Sequence, residues 1–270
     1  MKGLCLAALA LCAGFAAAPA AAKPETLLYS ATWAGLPAAD IAMRLEEGEG
    51  GYRSEIEIRT KGLPRLFTRF RGLGRSSGAI SAAGFAEPLE YDAFYDLRSR
   101  KGKRISLRFL REGGRVIAER GPEDGSSSSN PPLPAAQRVG VVDPLTTVDL
   151  MREALRTGAA RGRGFHIPVY DGKRRFEVEE RGLTRERRRF GGKEEPVLHL
   201  ALQLRPIAGF RPDGEEGSPD AAPRPLDVFF SDDAALVPLR LEVAIAYFTV
   251  VVELTGRCEG AVAACGVAAR

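Results

Sequence analysis

Histidine, cysteine and catalytic signatures are scarce in this chain. Only two histidines occur among its 270 residues, His166 and His199. Neither has a Cys, Ser or carboxylate partner at a recognisable spacing, and each is read as an ordinary strand residue. There is no Gly-x-Ser-x-Gly elbow, no His-Glu-x-x-His, no glycine loop ahead of a helix to cradle phosphate, and no paired-cysteine redox motif. With no nucleophile, base and orienter to name, no catalytic residue, metal site or cofactor is assigned. A non-catalytic role takes precedence over an enzymatic one, whose groups would have to converge in space.

A strong charge of either sign is also missing. Lysine and arginine total 39 against 35 aspartates and glutamates. Removing Lys2 with the leader leaves 38 − 35 = +3. That near balance argues against a nucleic-acid binder, whose footprint is a marked basic excess. Long apolar runs are absent as well, apart from Leu4–Phe15, which is too short to span a bilayer. Preceded by Lys2 and followed by Ala20, Ala21 and Ala22, it reads as residues 1–22 of an export signal cleaved before Lys23. The expected location is periplasmic or secreted, without a transmembrane span, and ATP- and nicotinamide-dependent chemistry recedes accordingly. Lipidation is not expected, because Leu11 precedes Cys12 where a small residue is required and Cys5 lies too near the start. Cys258 and Cys265 alone survive processing, and in an oxidising compartment they are the disulfide candidate.

What is present is β-sheet pattern. Ile56 and Ile58 alternate with Glu55, Glu57 and Arg59, a half-buried strand. The same character recurs at Leu27–Trp33, Ile41–Leu45, Ile105–Phe109 and Val116–Ala118, with Gly48, Gly50 and Gly51, Gly72, Gly74 and Gly78, and Gly113 and Gly114 read as turn punctuation. Gly121–Pro134 is a solvated loop, and so is Phe210–Pro225. Between them Asp143 caps a helix that opens on Pro144 and stops at Gly158, with an apolar stripe through Leu145, Val148, Met151 or Arg152, and Leu155. This helix is placed as a lid or crossover. Val169–Val178 forms two strands around Asp171-Gly172, followed by strands at Val197–Leu204, Leu226–Phe230, Leu239–Val243 and Tyr247–Leu254. The fold expected is mainly β, a strongly curved antiparallel sheet or half-open barrel with one principal amphipathic helix. Residues 23–270 are read as a single domain, with loops near 121–134 and 210–225.

Two charged features invite functional readings. Arg181, Arg185, Arg187, Arg188 and Arg189, with Glu186 among them, could attract anionic head groups, but a solvated hairpin edge explains them more simply. Phe67, Phe70 and Leu73 among Arg65, Arg69 and Arg71 could face a membrane, although apolar residues at such spacing are more often core. Asp232 and Asp233 are neighbours, so on a strand they would face opposite ways. They are assigned to a turn rather than to paired acid–base chemistry.

Several stretches, in order along the chain, resemble an exported bacterial family of unassigned activity, the domain of unknown function DUF3108. They are Tyr29-Ser30-Ala31-Thr32-Trp33-Ala34-Gly35-Leu36-Pro37, Gly62-Leu63, Asp143-Pro144-Leu145-Thr146, Tyr170-Asp171-Gly172-Lys173-Arg174, and Ser231-Asp232-Asp233 followed by Val237-Pro238-Leu239-Arg240. The resemblance implies a periplasmic β protein similar to the half-open barrels that carry lipoproteins between membranes. It supplies no catalytic residues. The leading expectation is a binding or carrier module for a hydrophobic envelope ligand, a lipid or an acyl chain. Its pocket would be lined by Trp33, Ile56, Phe109, Leu145, Val148, Leu155 and Phe248. The alternative is an envelope scaffold that docks another protein and has a filled interior. A hydrolase of envelope polymers ranks third. Oligomeric state is left open.

Overall fold

Residues 25–48, 50–62, 65, 69–97, 100–113, 115–121, 133–158, 164–210, 222–245, 248–261 and 265 are described by the computed structural model. Residues 1–22, read above as an export signal, with Cys5 and Cys12, and Phe67 and the centres of the two long loops lie outside the described residues. Period-two burial builds the first half: β1 (Glu25–Trp33), β2 (Leu36–Gly48), β3 (Gly51–Thr60), β4 (Arg71–Ile80), β5 (Ala86–Leu97), β6 (Arg100–Glu112) and β7 (Arg115–Arg120). After helix α1 (Pro144–Thr157) come β8 (His166–Tyr170), β9 (Arg175–Phe190), β10 (Lys193–Ala208), β11 (Arg224–Ser231), β12 (Pro238–Ile245) and β13 (Phe248–Glu259). Each strand pairs antiparallel with its chain neighbour, and β1 pairs with β13, giving one 13-stranded sheet with β7 and β8 at its edges. The sheet curls until it is nearly closed into a barrel.

The seam is stitched by the segment just before α1. Val139 bridges Ile117 antiparallel and Val142 bridges Val169 in parallel. Gly140 N–H donates to the Val116 carbonyl at 2.7 Å, Val142 N–H to Pro168 at 2.9 Å, and Tyr170 N–H to Val142 at 2.8 Å. A few residues thus satisfy edge groups that would otherwise template pairing with another chain.

Helix α1 begins where the sequence places it, on Asp143, whose carboxylate accepts the N–H groups of Leu145 and Thr146, and it ends at Gly158 with φ of 75°. Its position, however, is neither lid nor simple crossover. The helix is inserted between the sheet halves and buries Leu145, Thr146, Thr147, Asp149, Met151, Glu153, Ala154 and Leu155, far more than one stripe. The second, polar face is tolerated because inward-pointing hydroxyls of β3 and β4 meet it.

Reading Gly72, Gly74 and Gly78 as turn punctuation is corrected by the structure, which runs β4 straight through all three. The space for their side chains is already taken. A Cβ on Gly74 would lie 3.0 Å from Ile56 and 3.6 Å from Leu145, and one on Gly78 would lie 2.1 Å from the Glu87 carbonyl oxygen. Glycine here makes room for α1 and for a close strand neighbour.

Candidate functional site

Three clusters of buried side chains fill most of the barrel. One joins α1 to β8–β11 through Met151, Leu155, Ile167, Val178, Leu200 and Phe230. A second packs Leu145 with Tyr91, Ile105, Leu107, Phe109 and Tyr170. A third sets Leu27 and Tyr29 against Val197, Phe229 and Leu239. Where the three fail to meet, an apolar cavity of about 250 Å³ remains. Val148 and Met151 of α1 form one wall; Tyr29, Ile41, Met43 and Ile56 a second; Val228, Phe230, Leu241 and Val252 a third. Arg240 contributes its aliphatic stem, because its guanidinium reaches out to Glu242 at 2.6 Å and to Glu253. One helix does not fill a sheet of this many strands, and the shortfall is this hollow.

The wall formed by α1 is fixed by a buried polar network. Ser76 donates to Asp143 Oδ2 at 2.9 Å, and so does the Thr146 hydroxyl at 2.5 Å. Tyr52 shares a hydrogen bond of 2.6 Å with Thr146, and Ser54 donates to Asp149 at 2.8 Å. Burial pushes the Asp143 carboxyl up, more strongly than its hydrogen bonds from Thr146, Ser76 and Leu145 pull it down. Burial likewise raises Asp149 to about 6, against the pull of Ser54 and Arg152.

The structure distributes the seven pocket candidates widely. Ile56 and Val148 face the cavity together. Phe109, Leu145 and Leu155 lie in filled core beside it. Trp33 and Phe248 stand at the barrel rim, in an edge-to-face pair with ring centres 5.5 Å apart. Sequence reasoning missed Tyr29, Ile41, Met43, Met151, Val228, Phe230, Leu241 and Val252 as lining residues. Most lie within stretches read as strands, but no local signal says which inward residues border an unfilled volume.

Polar clusters elsewhere are already internally compensated. His199 meets two carboxylates, Asp227 at 2.7 Å and Glu186 at 3.9 Å, and stacks on Phe229. These partners lie on neighbouring strands, which is why linear spacing did not reveal them. His166, Glu177 and Glu179 come close enough to hold a cation. Yet Arg205 spans both carboxylates, 3.0 Å from Glu179, and His166 sits 3.1 Å from Glu177. Burial raises Glu177, but His166 and Arg205 outweigh it and hold the carboxyl below its usual range. Among the described residues, the arginine run on β9 pairs beyond Glu180 with β10 alone. Its members engage acids: Arg181 with Glu179, Arg185 with Asp232, Arg187 with Glu194 and Arg188 with Glu186. Asp232 and Asp233 lie in the turn after β11, where Asp233 accepts the Ala235 and Leu236 N–H groups. Cys258 and Cys265 are joined in a disulfide, with Cα atoms 5.8 Å apart.

The model of the family described as "Protein of unknown function (DUF3108)" matches residues 28–255. The chain belongs to this family. A β-barrel-like protein of another domain of unknown function, DUF1849, from Brucella abortus shares 10% identity. The match covers 88% of this chain and 98% of that one, with a TM-score of 0.55, a likeness of fold alone. A lipoprotein candidate from Parabacteroides distasonis matches 88% of this chain and 96% of its own at 7% identity and a TM-score of 0.35. No curated protein matches this DUF3108 chain. Among the described residues, no helix is long and apolar enough to cross a membrane.

Proposed function

We propose that this DUF3108 barrel is a non-catalytic binding module, exported by residues 1–22 and acting as one unit over 23–270. It holds a small apolar molecule, or one hydrocarbon chain of a larger one, between α1 and the sheet. The observation that carries the reading is the cavity of about 250 Å³, lined from both sheet halves and from α1 by apolar atoms. A dry cavity of about 150 Å³ is enough to take up benzene, and drug-sized sites begin near 300 Å³. The hollow is thus sized for a single acyl segment rather than for a whole two-chain lipid. A scaffold would gain nothing from such a void, since unfilled apolar volume costs stability.

Titration with a fluorescent long-chain fatty acid tests the reading. The native chain should bind it saturably, and Val148→Phe, which grows into the hollow, should weaken binding at least tenfold while melting within a few degrees of native. Ile56→Phe attacks the opposite wall and serves if the helix variant does not fold. Absence of saturable binding by the native chain, or undiminished binding by both folded variants, overturns the reading.

A further inference from the structure

In an antiparallel meander successive turns alternate between the two ends of the sheet. The connections β1–β2, β3–β4, β5–β6, β8–β9, β10–β11 and β12–β13 therefore share one end, the centre of β10–β11 lying outside the described residues. The opposite end is occupied by the last turns of α1: Arg152 bonds Glu47 at 2.5 Å and the Ala235 carbonyl at 3.1 Å, and Arg156 lies 3.5 Å from Glu47. The end away from the helix has a different surface. Trp33, Leu36 and Phe248 stand there 42%, 49% and 48% exposed, and Trp33 and Phe248 are in mutual contact. Leaving an indole, a phenyl ring and a leucine together in water is unfavourable unless something covers them.

Their register adds a second point. Trp33 follows Tyr29 and Ala31 on one face of β1, and Phe248 precedes Val250 and Val252 on one face of β13. Tyr29 and Val252 line the cavity. Four residues of strand separate each rim aromatic from its cavity-lining neighbour, about 13 Å along the same inner face.

The turns beside this rim are basic. Arg65 and Arg69 are exposed between β3 and β4, Arg71 is exposed at the start of β4, and Lys173 and Arg174 are exposed between β8 and β9. Among the described residues, acids nearby are engaged: Asp40 with Lys61, Glu57 with Arg59 and Arg71, Asp96 with the Gly102 N–H, and Asp171 with the backbone N–H groups of Lys173 and Arg174. Large amphipathic aromatics flanked by guanidinium and ammonium groups complement one kind of surface, a bilayer whose head groups carry phosphate and net negative charge.

We infer that this end of the barrel docks on an anionic lipid surface. Trp33, Leu36 and Phe248 enter the boundary between head groups and acyl chains, while the basic turns sit over the phosphates. The inference does not rest on the cavity holding a ligand.

Trp33 is the only tryptophan in the chain, so its emission reports directly on the rim. The purified chain is mixed with vesicles of phosphatidylethanolamine and phosphatidylglycerol, or of phosphatidylcholine alone. Docking predicts a blue shift and quenching by acyl-brominated lipid with the anionic vesicles, weakened at least fivefold in phosphatidylcholine or in high salt. In co-sedimentation, Trp33→Ala with Phe248→Ala should lower partitioning at least tenfold, as should Arg65→Glu with Arg69→Glu. Both double variants alter exposed positions and should keep the native melting temperature. No shift and no sedimentation with anionic vesicles overturns the inference, and so does sedimentation unchanged in both folded double variants, which would leave the rim to a protein partner. Val148→Phe separates the two proposals: it should lose fatty-acid binding and still dock.

Discussion

Replacing Asp143 by alanine should loosen the element that walls the cavity. The carboxylate receives Leu145 N–H at 2.9 Å, Thr146 N–H at 3.0 Å, the Thr146 hydroxyl at 2.5 Å and the Ser76 hydroxyl at 2.9 Å, all within the interior. Ser76 and Thr146 still have each other and Tyr52, so the penalty is that of the lost cap, which leaves the Leu145 and Thr146 N–H groups without their acceptor in the interior, about 2 kcal/mol. That corresponds to a fall in Tm of roughly 4–8 °C for a chain of this size. Asp143→Asn keeps an acceptor oxygen for the two N–H groups and removes a buried ionisable group, so it should stay within about 1 kcal/mol of native. Scanning calorimetry at neutral pH distinguishes the three proteins. An alanine variant melting within 2 °C of native, or an asparagine variant as damaged as alanine, would refute the reasoning that this network anchors α1.

Two further expectations concern the same interior. Asp149 is raised to about 6 in the fold against an ordinary value of 3.8, so the native state holds a proton there that the unfolded chain releases. Its contribution is fully present below about pH 4 and is lost as pH rises through 6; Asp149→Asn should match native at pH 4 and exceed it by a few kcal/mol at most at pH 7.5 in urea unfolding. A flat difference between the two proteins across that range would contradict the assignment. Gly78→Ala drives a methyl into the Glu87 carbonyl and the Tyr52 ring and should cost about 3 kcal/mol, whereas Gly48→Ala, with nothing within 4 Å, should be close to neutral. Equal melting temperatures for the pair would show that β4 and β5 can part without penalty.

Local chemistry made much of the architecture legible. Asp143, Pro144 and Gly158 mark the limits of α1 because capping and the left-handed stop act within a few residues. Alternation exposes β1, β2 and β3 for the same reason, and Asp171-Gly172 marks the turn between β8 and β9. β4 escaped because its glycines serve neighbours distant in sequence: Ile56, Tyr52 and Leu145 occupy the space their side chains would need. Helix α1, placed as a lid or crossover with a single apolar stripe, is inserted more deeply because Thr146 and Asp149 meet Ser76 and Ser54, the inward hydroxyls of two strands distant in sequence. The pairing of His199 with Asp227 depends on the register of β10 with β11.

Sequence by itself determined the β-rich class, the principal helix and its ends, and the family, because strand alternation, caps and turn dipeptides are short-range effects. Closure of the sheet, insertion of α1 and the hollow bounded by Ile56, Val148, Val228 and Val252 were decided only by tertiary structure. A cavity is a volume that no residue fills, and whether a side chain borders a void or a neighbour depends on curvature and register accumulated over every strand between them.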